Sequence, residues 1–131
     1  MNPPYGISRT TALSFEQASQ RIREALKAQG FGVLTEIDVQ ATLKEKLDAE
    51  TEPYIILGAC NPPLAHRAIS AEPSIGLLLP CNVVIRQESG KVLVEAMDPE
   101  AAMGLVDNPE IKGVATEARQ KLLAALDNLE G

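Results

Sequence analysis

Val83 to Met97 alternates apolar and polar residues about a Ser89-Gly90 pair, and this alternation constrains the fold more than any other feature. A two-residue turn at Ser89-Gly90 sets Glu88 opposite Lys91, Arg86 opposite Leu93, Ile85 opposite Val94 and Val83 opposite Ala96. Val83, Ile85, Val92, Val94 and Ala96 then share one face of the hairpin. Val84, Arg86, Glu88, Lys91, Leu93, Glu95 and Met97 share the other. A slip of one residue would mix the two sets, so the register is well specified. A sheet with one apolar and one mostly polar face predicts a two-layer α+β domain with helices packed on one side. Val84, Leu93 and Met97 are apolar on the face expected to be wet, which makes them a candidate dimer patch.

The remaining elements fit that architecture. Tyr5 to Thr11 reads as a first strand. Ser14 and Gln17 have the capping-box spacing, and Phe15, Ala18, Ile22, Ala25 and Leu26 recur on one helical face until Gly30 ends the helix. Gly32 to Asp38 reads as a strand with Val33 and Ile37 on one side and Glu36 on the other. A short helix from Val39 to Leu47 should follow, capped by Asp38, with Ala41, Leu43 and Leu47 as its apolar positions. Tyr54 to Ala59 is apolar on both parities, which predicts a central strand buried on both faces. Asn61-Pro62, Asp98-Pro99 and Asn108-Pro109 are three helix starts of one design, with a capping side chain followed by a proline whose missing N–H costs nothing in the first turn. The last of them opens a long helix toward Leu129. The expectation is a single domain over 1–131, with about five strands in a largely antiparallel or mixed sheet and four or five helices on one face.

Composition excludes several functions. Lys and Arg number 12 against 18 acidic residues, and the basic residues are dispersed rather than clustered. Nucleic-acid binding relies on concentrated cations that release counterions, and an anionic membrane surface needs them too, so neither partner is expected. Aromatic residues make up only 3% of the chain, which leaves an aliphatic core and no base-stacking platform. The apolar run from Ile75 to Ile85 contains Pro80 and Asn82 and is too short to span a bilayer. Two cysteines do not make a disulfide scaffold, and Met1-Asn2-Pro3-Pro4 lacks the pattern of a secretion signal. A soluble, cytoplasmic protein is the expectation.

The residues with chemical potential lie between Tyr54 and Arg86. Both cysteines are there, each followed by asparagine, as Cys60-Asn61 and Cys81-Asn82, and so is the only histidine, His66. Cys60, His66 and Cys81 offer a metal three ligands at a spacing unlike that of zinc fingers or ribbons, so this is a weak alternative. Cys60 ends one strand and Cys81 begins the next. If those strands are antiparallel, the thiols share one edge of the sheet; a parallel crossover would separate them beyond disulfide reach. Pro62 and Pro63 remove amides that would otherwise activate Cys60 or cradle a phosphate. No Cys-x-x-Cys, Walker or dinucleotide pattern occurs, so a thioredoxin-like mechanism and a nucleotide site are unsupported, and the sequence leaves the cofactor unknown. Asn61 reads as a helix cap, whereas Asn82, in or beside a strand, must hydrogen-bond a nearby turn or a ligand. Gly58 and Gly76 read as sites of close backbone approach or tight turning.

Gly30 to Val39 (GFGVLTEIDV), Leu57 to His66 (LGACNPPLAH), Gly76 to Val83 (GLLLPCNV) and Ala96 to Pro99 (AMDP) together resemble the prokaryotic domain-of-unknown-function family 302, from about Phe15 to Leu126. The resemblance implies a soluble α+β domain, often self-associating, with no assigned reaction, and it makes Cys60, Asn61, Cys81 and Asn82 the positions of any shared pocket. The leading functional expectation is therefore a small-molecule-binding or regulatory homodimer with a pocket near the two Cys-Asn steps. A thiol-redox or metal-binding protein using Cys60 and Cys81 is one alternative, and a structural or interaction domain is another.

Overall fold

Ser89 and Gly90 both take positive φ, 50° and 81°, the geometry that lets a two-residue turn follow the right-handed twist of its flanking strands. In the computed structural model, which describes residues 2–130, β4 (Cys81–Glu88) and β5 (Lys91–Met97) pair about this turn in the expected register, from Glu88 against Lys91 to Val83 against Ala96. β1 (Gly6–Thr11) adds to β5, while β3 (Tyr54–Cys60) adds to β4 and β2 (Gly32–Asp38) to β3. The five strands run in the order β1-β5-β4-β3-β2, and every neighbouring pair is antiparallel.

Helices cover one face. α1 (Phe15–Ala28) starts with the complete Ser14–Gln17 capping box. It ends in a Schellman motif: Gly30, at φ 84°, donates to the Lys27 carbonyl, and Phe31 donates to that of Leu26. Ala18, Ile22 and Leu26 of this helix, with Leu122, Ala125 and Leu126 of α5 (Pro109–Asp127), pack on Ile7, Leu57, Val83, Ile85 and Val94 of the sheet. Burying each large aliphatic side chain contributes about 1.5–3 kcal/mol, so this layer dominates stability. The first turns of α5 instead join α3 (Pro62–Ala71), a 3-10 turn over Pro73–Leu78 and the short α4 (Pro99–Ala102). Leu64, Ala68, Ile75, Met103, Ile111 and Val114 form that second apolar cluster.

The structure departs from the sequence expectations in four places. Val33 and Ile37 do not share a face. A register shift between Val33 and Thr35 sets Val33 against Ala59 on the covered side and Ile37 against Ile56 on the open side, because a bulge reverses the alternation beyond it. β3 is not buried on both faces: Leu57 and Ala59 are buried on the covered side, but Tyr54 and Ile56 on the open side are half-buried, since no second layer lies over them. α2 (Val39–Leu47), capped by Asp38 as expected, buries no residue at all, and Leu47 is exposed. Gly76, inside the unforeseen 3-10 turn, has an ordinary φ and open space where a Cβ would go, so neither close approach nor tight turning requires it.

Candidate functional site

The connection from β3 through α3 and the 3-10 turn returns the chain to the end of the sheet that it left, because β4 runs antiparallel to β3 with Ala59 opposite Cys81. Cys60 and Cys81 therefore lie at one end, on neighbouring strands and offset by one position. Strand spacing and rise put their Cα atoms about 6 Å apart. Of the two topologies the sequence left open, this is the one that brings the thiols together. Both cysteines are free. Positions one apart in register project to opposite faces of a sheet, which opposes a direct disulfide at this pair.

A small cavity occupies this end, between the sheet margin and the second apolar cluster. Its volume is about 40 Å³, and Phe31, Cys60, Leu64, Cys81, Met103 and Val114 are among its lining residues. Burial pushes the Cys81 thiol up to about 11, and the nearby Cys60 adds to the effect. Cys81 is thus a neutral, unreactive thiol at neutral pH. Cys60 is half-buried. Asn61 follows it as the cap of α3: its carbonyl oxygen accepts from the Leu64 amide at 3.4 Å, and its side-chain nitrogen donates to the Gln29 carbonyl at 3.2 Å. Asn61 thereby ties the start of α3 to the end of α1, and both ends of its amide are engaged. His66 lies exposed on α3, outside the cavity lining. Among the described residues, no three His, Cys, Asp or Glu side chains gather into a metal-ready group, so His66 does not join the thiols.

Asn82 belongs to the other side of the sheet. It is exposed, its side chain makes no hydrogen bond to a described residue, and it lines a concavity of about 740 Å³ over the open face. Val84, Arg86, Glu95 and Met97 share this lining with Tyr54 at one end and Tyr5, beside Pro3 and Pro4, at the other. The two Cys-Asn steps thus share one end of the sheet but border two spaces: Cys60, Asn61 and Cys81 are among the residues lining the small apolar one, and Asn82 lines the large mixed one. Arg86 donates to Glu95 at 2.6 Å and to Glu88 at 3.0 Å, and the bond to Glu95 foremost raises its pKa. Gly58, opposite Asn82, is required for close approach: a Cβ there would collide with the Thr35 hydroxyl and reach within 3.0 Å of the Pro80 ring. Sequence reasoning missed the two tyrosine rims and Thr35. Tyr54 is readable from its register with Arg86 once β3 and β4 are paired, whereas the bulge hides Thr35.

The architecture defines a class: a two-layer α+β domain whose antiparallel sheet is covered on one side and open, with a concavity, on the other. Within that class the chain belongs to the family described as domain of unknown function DUF302, which matches residues 7–129. A crystal structure of an uncharacterised conserved DUF302 protein from Bacillus stearothermophilus has the same fold, with a TM-score of 0.91 and 30% identity over 96% of this chain and 98% of that one. No curated protein matches the chain. Among the described residues, no helix is long and apolar enough to cross a membrane.

Proposed function

We propose that the protein is a single-domain, homodimeric small-molecule-binding protein whose ligand occupies the concavity on the open sheet face. The observation that carries this reading is the concavity itself. Its volume of about 740 Å³ lies within the roughly 300–1,000 Å³ of ordinary ligand sites. Its floor combines apolar Val84 and Met97 with the Asn82 amide and the Arg86–Glu95 pair, so an apolar body and an orienting polar group both find partners. Rigid strands hold these groups, which favours defined recognition over adaptive contact. A second copy laid on the same face would cover Val84, Leu93 and Met97 and exclude water from the ligand. Asn82 carries the ligand contact in this reading; Cys60 and Cys81 stand behind it at the sheet margin.

Saturation-transfer NMR with a library of small carboxylates and amphiphiles tests the assignment. Binders should shift the resonances of Asn82, Val84 and Met97, and Asn82→Ala should weaken them at least tenfold, about 1.4 kcal/mol, without lowering the melting temperature. Binders that perturb only residues remote from this face would refute it.

A further inference from the structure

The concavity on the open face presents polar groups of two kinds: a charged pair that is already satisfied, and an amide that is not. We infer that its ligand is an uncharged carboxamide or lactam on an apolar, ring-sized body, held by the Asn82 side chain through two parallel hydrogen bonds. This names the chemistry of the ligand proposed for the open face, and it rests on that reading.

The charges exclude an ion. Arg86 and Glu95 are the charged residues of the lining. Arg86 Nε donates to Glu95 at 2.6 Å and Nη1 to Glu88 at 3.0 Å, so this cation already faces two carboxylates. Lys91 opposes Glu88 at the hairpin end, outside the lining. A carboxylate or phosphate would compete with Glu95 and Glu88 for one guanidinium, and an ammonium would meet that guanidinium. Once a second copy closes the face, either charge would be desolvated with no counter-ion of its own, which opposes binding. The chain's net charge of −6 further repels anions.

The amides then select the polar group. Asn2, also in the lining, commits its Oδ1 to the Ser8 amide at 2.8 Å. The Asn82 side chain has no hydrogen-bond partner among the described residues, so its Oδ1 and Nδ2 are both open. A carboxamide or lactam edge carries a donor and an acceptor side by side and in the opposite order, so both bonds form in one plane. A carboxylate only accepts and leaves Oδ1 without a donor.

Register sets the size of the body. Val84 lies two positions from Asn82 on the same face, about 7 Å away, and Arg86, opposite Tyr54, lies four positions away, about 13 Å. One or two fused rings with their amide edge on Asn82 therefore cover Val84 and end short of Arg86. The Tyr54 ring at that rim can stack on a longer body.

The test compares three matched probes on the full-length chain, read by the backbone NMR resonances of the open face. Carbostyril carries the fused-ring lactam edge, N-methylcarbostyril has lost its donor, and quinaldate is an anion of similar size. Carbostyril should shift Asn82, Val84 and Met97, and each of the other two should bind roughly tenfold more weakly, the effect of a hydrogen bond left unmade. Asn82→Asp exchanges the amide donor for a second acceptor. It should lose carbostyril roughly tenfold and gain benzamidine, whose cationic edge carries two donors, by as much. Misfolding cannot produce that reversal. The inference is overturned if quinaldate binds this face as tightly as carbostyril, if methylation costs nothing, or if Asn82→Asp leaves the preference unchanged; the face would then be a ligand site of another chemistry. It is also overturned if no probe shifts the face, and the broader library of carboxylates and amphiphiles decides separately whether the face binds anything.

Discussion

The covered and open faces of the sheet differ in what their side chains are needed for. On the covered face, Leu57, Val83, Ile85 and Val94 are essentially inaccessible and meet α1 and α5. On the open face, Val84, Leu93 and Met97 are only half-buried and alternate along their strands with Asn82, Arg86 and Glu95. The strands supply both sets through the same alternation, so the backbone geometry of the two faces is equivalent. The contrast teaches that folding is satisfied by one face alone, which leaves the apolar residues of the other available for recognition.

The sharpest attempt to break this contrast is a pair of truncations. Leu57→Ala should cost about 2–5 kcal/mol in chemical denaturation, the range for emptying a buried leucine site, whereas Val84→Ala should cost about 1 kcal/mol or less. Equal costs would mean that the open face contributes as much to folding as the covered one does.

A smaller effect comes from Cys81, on the covered parity. Its folded pKa of about 11 lies above the reference value of 9.0. Below about pH 9 the thiol is protonated in both folded and unfolded states, and its contribution to stability is fully present. As pH rises from 9 to 11 the unfolded chain ionises first, so stability falls, by roughly 2–3 kcal/mol in total. Denaturation across that window should show this slope in the wild type and lose it in Cys81→Ala. A slope common to both would assign the alkaline loss to other groups.

Gly58 sharpens the picture of the open side. Gly58→Ala should cost about 1–2 kcal/mol because Thr35 must give way, and adding Thr35→Ala should recover much of that cost. Simple additivity in the double-mutant cycle would show that the clash is relieved elsewhere. The smallest effect belongs to the Arg86–Glu95 pair, whose side chains are 26% and 21% exposed. Its coupling energy should be about 0.5–1 kcal/mol and shrink with added salt.

How much of this was legible in the sequence follows from how local each determinant is. The hairpin register, the Ser14–Gln17 box, the Gly30 stop and the three Asx-Pro helix starts rest on residues within a few positions of one another, and all were readable. The bulge at Val33–Thr35 was not, because nothing in the residues of β2 marks where its pairing with β3 shifts. The strand order was also beyond reach, since the 3-10 turn that brings Cys81 back beside Cys60 reads in sequence as one continuous apolar run. For the site, the sequence singled out the right end of the sheet. It could not separate Asn82 from Cys81, because parity divides them only once the covered face is known. Met103 carried no signal at all, as its place beside this end of the sheet exists only through the second apolar cluster, which gathers α3, the 3-10 turn and α5 around it.

Sedimentation equilibrium of the full chain and its Val84→Glu variant tests the central claim most directly, namely that the open face is a recognition surface closed by a second copy. The account predicts a wild-type mass twice the 14.0 kDa of the chain, and a variant that keeps the same circular dichroism spectrum but sediments at the single-chain mass. A wild type that sediments as one chain, or a variant that remains paired with a carboxylate at the centre of that face, would contradict it.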